Sequence, residues 1–287
     1  MDIAVLGMGR MGQAVAKRVL GGGHRVVVWN RTPGRAEDVV AAGATETGSV
    51  AEAVKGAEVV ITSLTDDDAV GEVALGEGGV RSAIRPEAVY ADASTVSPFM
   101  SEALDSEFER FVAMPILGGP AAVEAAEATY LVGGEPAVAD RLRPVLTTLS
   151  KKVRRYDTPR KAVGAKLANN LMLLAEVAAL AEAVAVARSG GLSDNEIREL
   201  LGHSPMLPPG IENRFEGVLT GQLEPWWTTA LGAKDASLAV DAAAAAGVDL
   251  PLAETVRQLY RDAAVISAED DDIVAVARRY RPNRSSR

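Results

Sequence analysis

The stretch "VLGMGRMG" at residues 5–12 constrains this chain more than any other. It closes a short apolar run, "DIAVL", and opens a segment of helical character. Gly7, Gly9 and Gly12 have the spacing G-x-G-x-x-G. In that pattern the first glycine permits a tight turn, the second lets backbone approach a pyrophosphate, and the third lets helix and strand pack closely. The helix N-terminus then turns N–H groups and the positive end of its dipole toward the anion. A purely structural glycine turn needs no such context. With a strand before it and a helix after it, the motif predicts a dinucleotide site built from Gly7, Met8, Gly9, Arg10, Met11 and Gly12.

The second strand ends in "VVVWNRT". A site for NAD places Asp or Glu about 20 residues after the glycines, on the ribose hydroxyls. Here the positions are Asn30, Arg31 and Thr32. A cation with two neutral polar neighbours suits a 2′-phosphate, and a missing carboxylate does not repel it, so the expected cofactor is NADP(H). The competing reading of Arg31 is a solvated loop charge. His24, in the turn "GGGHRV", reads as a turn residue.

Up to about Asp157 short β-rich runs alternate with helical segments: "DIAVL", "RVVVW", "EVVITS", "AVYAD", "FVAMPI" and "ATYLVG". Such alternation predicts a parallel sheet covered on both faces. Then the period changes. Thr158 and Pro159 read as N-cap and first helical residue, and "SGG" at 189–191 as the stop. The remainder reads as helices, with Asp194 and Asp270 at capping positions. The expected fold class is an α/β Rossmann-type N-terminal domain (1–158), a long interdomain helix (159–190) and an all-α C-terminal domain (191–287). The last domain is expected to serve substrate binding and dimerisation, and the tail "RPNRSSR" reads as disordered.

The net charge of −9 argues against a nucleic-acid partner. With no cysteine and only His24 and His203, thiol chemistry and histidine-rich metal sites are excluded. The acidic runs 66–68 and 269–272 read as solvated helix starts, so no metal is expected. The N-terminus does not read as a signal peptide. The long apolar run after Asn170 is interrupted by Glu176 and Glu182, which reads as a buried helix of a cytoplasmic protein with no membrane partner.

That run opens with "GAKLANN", where Lys166 and Asn170 stand at i and i+4 on one face that Leu173 and Val177 continue. A lysine beside an apolar pocket can have its pKa drawn toward working pH and exchange protons. A lysine near a helix start can equally snorkel to solvent. Spacing alone leaves both readings open.

Five motifs in order, from "VLGMGRMGQAVAKRVLGGGHRVVVWNRTPGRA" through "YADASTVSP", "PILGG…EATYLVGG" and "GAKLANN" to "GAKDASLA", resemble the β-hydroxyacid dehydrogenase family over nearly the whole chain. Its members include 3-hydroxyisobutyrate dehydrogenase and glyoxylate and succinic semialdehyde reductases. The resemblance implies an NADP(H)-dependent oxidoreductase acting on a carbonyl or β-hydroxy acid. Lys166 is then the proton donor and acceptor, and Asn170 orients the substrate. Lys234 lies at cofactor and substrate, Ser94 and Thr95 line the nicotinamide and substrate pocket, and Ser63, Leu64 and Thr65 contact the cofactor. Members are usually dimers or tetramers, so a homodimer or homotetramer is expected, consistent with alanine-rich runs such as "DAAAAAG".

The family stretch that grips the substrate carboxylate reads Asp-Ala-Pro-Val-Ser-Gly-Gly; this chain has "AMPILGG", with Ala113, Met114 and Leu117 substituted. Gly118 and Gly119 remain to cradle an anion with backbone N–H groups. Leu117 in place of the serine predicts a substrate with more apolar bulk, and Trp227 either walls the same pocket or, like Trp226, packs in the core. Two other functions fit parts of the pattern. An imine reductase resembles the family but typically lacks the lysine, and a noncatalytic NADPH-binding module does not need it.

Overall fold

The computed structural model describes residues 1–221, 227–268 and 271–281. Trp226, the Asp270 cap and the tail from residue 282 lie outside the described residues. The chain forms two compact units, Met1–Lys166 and Leu167–Arg287.

The first unit is built on a nine-stranded sheet. Its strands are β1 (Asp2–Leu6), β2 (Arg25–Trp29), β3 (Thr45–Glu46), β4 (Val59–Thr62), β5 (Val89–Asp92), β6 (Phe111–Ala113), β7 (Ile116–Leu117), β8 (Thr129–Gly133) and β9 (Lys152–Tyr156). They run in the order β3-β2-β1-β4-β5-β6-β8-β7, with β9 on β8. The pairs from β3 to β6 are parallel, and β4 and β5 are buried along their whole length. This is the expected Rossmann-type arrangement, because a parallel strand covered on both faces has no place for polar alternation. Order reverses between β1 and β4, which puts their C-terminal loops at a topological switch point.

Three expectations need correction. The sheet is not wholly parallel, because β8 pairs antiparallel with β6 and β7. "FVAMPI" is two strands, broken where Pro115 has no N–H to give to a ladder. The strand β9, "KVRRY", is paired in parallel to β8 and goes unrecognised in the sequence because an edge strand tolerates charge on both faces.

The helix Pro159–Ser189 begins where Thr158 and Pro159 predict. From Leu167 onward it belongs to the second unit, whose core gathers Leu174, Val177, Ala181 and Val184 against Ile197, Val218, Tyr260 and Val276. Burying each of the leucine, valine and isoleucine side chains contributes roughly 1.5–3 kcal/mol. Asp194 is not the cap. Ser193 accepts from Glu196 N while the Glu196 carboxylate accepts from Ser193 N, a reciprocal box that fixes the helix start one residue earlier. Asp66 caps the helix Asp67–Leu75, and Asp272 caps a 3₁₀ helix, Ile273–Tyr280, that the sequence reads as an α-helix.

Candidate active site

The first unit's glycine turn follows β1 directly. Gly7 has φ +96°, and a side chain there would stand 2.3 Å from the Ser63 carbonyl oxygen. A Cβ on Gly12 would stand 1.8 Å from Gly7 O, so the helix sits directly on the turn. Gly9 differs: a Cβ there meets nothing within 4 Å. Its backbone faces open space at the start of the helix Arg10–Gly21, whose first turn has no side-chain cap and no acidic residue. An uncapped, positively poled helix start beside an open glycine fits a pyrophosphate.

Asn30 ties this turn to the loop after β2. Its side-chain oxygen accepts from Met8 N at 2.8 Å, and its amide donates to Thr32 O at 2.8 Å. Arg31 and Thr32 are exposed, and Arg31 pairs with the Glu72 carboxylate at 3.1 Å. Such an exposed pair is worth little by itself, so the guanidinium can exchange partners readily.

The loops after β4 and β5 are joined through polar groups. Leu64 N donates to Ser94 Oγ at 2.9 Å, and Ser94 N to Asp92 Oδ1 at 3.1 Å. Thr62 Oγ1 donates to Asp92 Oδ1 at 2.7 Å and lies 3.1 Å from the Tyr90 hydroxyl. Burial raises the Asp92 carboxyl above its ordinary range, and the bonds from Ser94 and Thr62 oppose the shift. Thr65 is exposed, Ser63, Leu64 and Thr95 are half-buried, and Ser94 is buried.

Lys166 Nζ donates to Ile116 O at 2.6 Å, beside half-buried Leu117, exposed Gly118 and half-buried Gly119. Ala113 and Met114, also departures from the family pattern, are buried in the sheet's core, Met114 with no exposed surface. They therefore fill the core and leave Leu117 as the departure with an open side.

In the second unit a residue the sequence reading passed over joins two it named. Asp235, 3% exposed, accepts from Asn170 Nδ2 at 2.7 Å, and its other oxygen lies 2.9 Å from Lys234 Nζ. Asn170 is buried because this carboxylate receives it, while Asn169 is exposed. The signal was present in "GAKDASLA", where a carboxylate follows the lysine on a helix, but the 65-residue separation from Asn170 concealed the pairing. Trp227 is half-buried against this unit's core, with its backbone N–H 3.3 Å from Asp272 Oδ2.

Residues 2–157 match the NAD-binding domain of 6-phosphogluconate dehydrogenase. Residues 161–280 match the NAD-binding domain of NADP-dependent 3-hydroxyisobutyrate dehydrogenase. An uncharacterised oxidoreductase of Bacillus subtilis is 33% identical over 88% of this chain and 91% of its own. The chain belongs to the β-hydroxyacid dehydrogenase family. Another relative, 3-sulfolactaldehyde reductase of Escherichia coli, is 29% identical over 97% of this chain and 95% of its own. A solved structure of 3-hydroxyisobutyrate dehydrogenase from Mycobacterium tuberculosis with L-serine superposes with a TM-score of 0.86 at 29% identity, covering 98% and 99% of the two chains. This family member is an oxidoreductase with a nicotinamide cofactor, and its glycine turn has the shape such a cofactor needs.

Proposed function

We propose that this β-hydroxyacid dehydrogenase interconverts a small acid bearing a hydroxyl group and its carbonyl form, with NADP(H) as cofactor and Lys166 exchanging the hydroxyl proton. One observation carries the reading: the Lys166 ammonium is held 2.6 Å from Ile116 O, immediately before the Leu117–Gly118–Gly119 segment. The bond to this carbonyl fixes where the lysine offers its protons. When bound, the nicotinamide supplies or takes up the hydride. The glycine turn and the helix start at Arg10 hold the pyrophosphate, and Ser63, Leu64, Thr65 and Thr95 position the rest of the cofactor. Lys166 protonates the developing alkoxide oxygen. Asn170, set by Asp235, orients the substrate; Lys234, on the same carboxylate, adds positive charge for an acid group.

NADP(H) is preferred because the end of β2 offers Asn30, Arg31 and Thr32 and no carboxylate. The description of the second family match, NADP-dependent, points the same way. The names of relatives, a 3-hydroxy acid dehydrogenase and an aldehyde reductase, support the substrate class.

Leu117 sets the selectivity, because an aliphatic side chain cannot donate to a carboxylate. Leu117→Ser is expected to raise kcat/KM for small semialdehyde acids about tenfold, the worth of one hydrogen bond to a charged group. Steady-state assays with glyoxylate and succinic semialdehyde test this, and an unchanged kcat/KM would sink the proposed role.

The helix Pro159–Ser189 is long and apolar enough, by length and composition, to cross a membrane. We read it as a core helix of a cytoplasmic protein, since one side packs into the second unit's core. Met172, Ala179, Ala183 and Val186 are exposed along another side, which supports a homodimer or tetramer; a solution mass of one chain would contradict this.

A further inference from the structure

Thr62, Asp92 and Ser94 are polar residues at the C-terminal ends of β4 and β5, and all are buried, at 0%, 2% and 3% exposure. Thr62 and Asp92 are direct partners in the parallel register, so their side chains start side by side. Asp92 accepts from two neutral donors, the Thr62 hydroxyl and the Ser94 N–H. Burying a carboxylate among neutral groups costs free energy that an apolar side chain at the same place would not incur. The feature therefore needs a reason other than stability.

The reason lies in direction. An ionised carboxylate only accepts, so hydroxyls bonded to it must turn their hydrogens toward it. Thr62 donates to Asp92, so the Tyr90 hydroxyl donates to Thr62. Ser94, whose N–H donates to Asp92, accepts at its Oγ from Leu64 N, 2.9 Å away. The bond fixes the backbone of the loop after β4, and the carbonyl of Ser63 in that loop is the atom against which Gly7 packs. A second tie runs parallel to it: Ser97 N donates to Asp67 Oδ1 at 2.8 Å. The loops after β1, β4 and β5 are thus referenced to one buried carboxylate.

We propose that Asp92 and Ser94 are a positioning pair that sets these loops for the dinucleotide, and that the Ser94 hydroxyl serves this clasp and not the substrate. The inference rests on the reading of these loops as the cofactor site.

The test is equilibrium binding of NADPH and NADH to the full-length protein, followed by quenching of protein fluorescence, which requires no carbonyl substrate. Wild type is compared with Ser94→Ala, Asp92→Asn and the double variant, and the melting temperature of each is recorded without cofactor. Each single variant is expected to raise the NADPH Kd about tenfold. The double variant is expected to bind no worse than the weaker single one, because the two residues act as one unit. Equal Kd values in wild type and variants would overturn the proposal, whether or not the melting temperature falls. Additive losses would also overturn it, as would a Ser94→Ala protein that keeps its NADPH Kd but loses affinity for a carbonyl substrate. A wild-type protein that binds neither nucleotide would remove the reading of the loops itself, an outcome distinct from the others.

Discussion

Replacement of Lys166 by alanine is expected to lower kcat by about 10²–10⁴-fold while leaving the NADPH Kd within a few-fold of wild type. The range is that of a positioned general acid, and the split follows from place. The Nζ is bonded to the carbonyl of Ile116, whereas the proposed pyrophosphate contacts are backbone groups of the turn after β1. Without it the alkoxide that forms as hydride arrives must take its proton from water, and a local positive charge is lost as negative charge develops. Lys166→Arg is not expected to rescue the rate, because a guanidinium keeps its proton in the working pH range. The measurement is kcat and KM for the best carbonyl substrate, with cofactor binding determined separately. A variant that keeps kcat within a few-fold would show that the lysine only snorkels at its helix.

The second large effect is expected at Arg31. Arg31→Ala should raise the KM for NADPH about 10–100-fold, the equivalent of roughly 1.5–3 kcal/mol for one hydrogen bond to a charged group. The KM for NADH should stay within about two-fold, since NADH has no 2′-phosphate. Glu72, whose carboxylate lies 3.1 Å from the Arg31 guanidinium, is expected to compete with that phosphate. Paired titrations of both cofactors in both proteins decide the point. Equal losses for NADPH and NADH would make Arg31 a general cofactor contact, and no loss would leave it a solvated charge.

The sequence was most legible where local chemistry alone decides structure. "DIAVL" and "RVVVW" are strands to the residue, because continuous apolar β-branched runs have few alternatives. The glycine turn was legible for the same reason, since its spacing follows from backbone sterics that the structure displays at Gly7 and Gly12. The charged edge strand "KVRRY" was not legible, because its partner β8 and not its own pattern holds it. Nor was the Ser193 cap, where a serine, an aspartate and an asparagine stand in a row and only the reach back from Glu196 decides among them. In the candidate site, Lys166 and Asn170 announced themselves as polar residues in an apolar helix. Asp235 and Asp92 did not. Each acts by holding another residue, and such a role appears only when the residues it holds are seen around it.

The central claim is hydride transfer from NADPH to a carbonyl carbon. It is tested most directly by incubating the wild-type protein with NADPH deuterated at C4 and a panel of small semialdehyde acids, bulkier aldehydes and ketones, and cyclic imines, with NADH as control. The account predicts one deuterium on the former carbonyl carbon of at least one acid, faster with NADPH than with NADH. Deuterium in imine products alone, or in none of the panel, would contradict it.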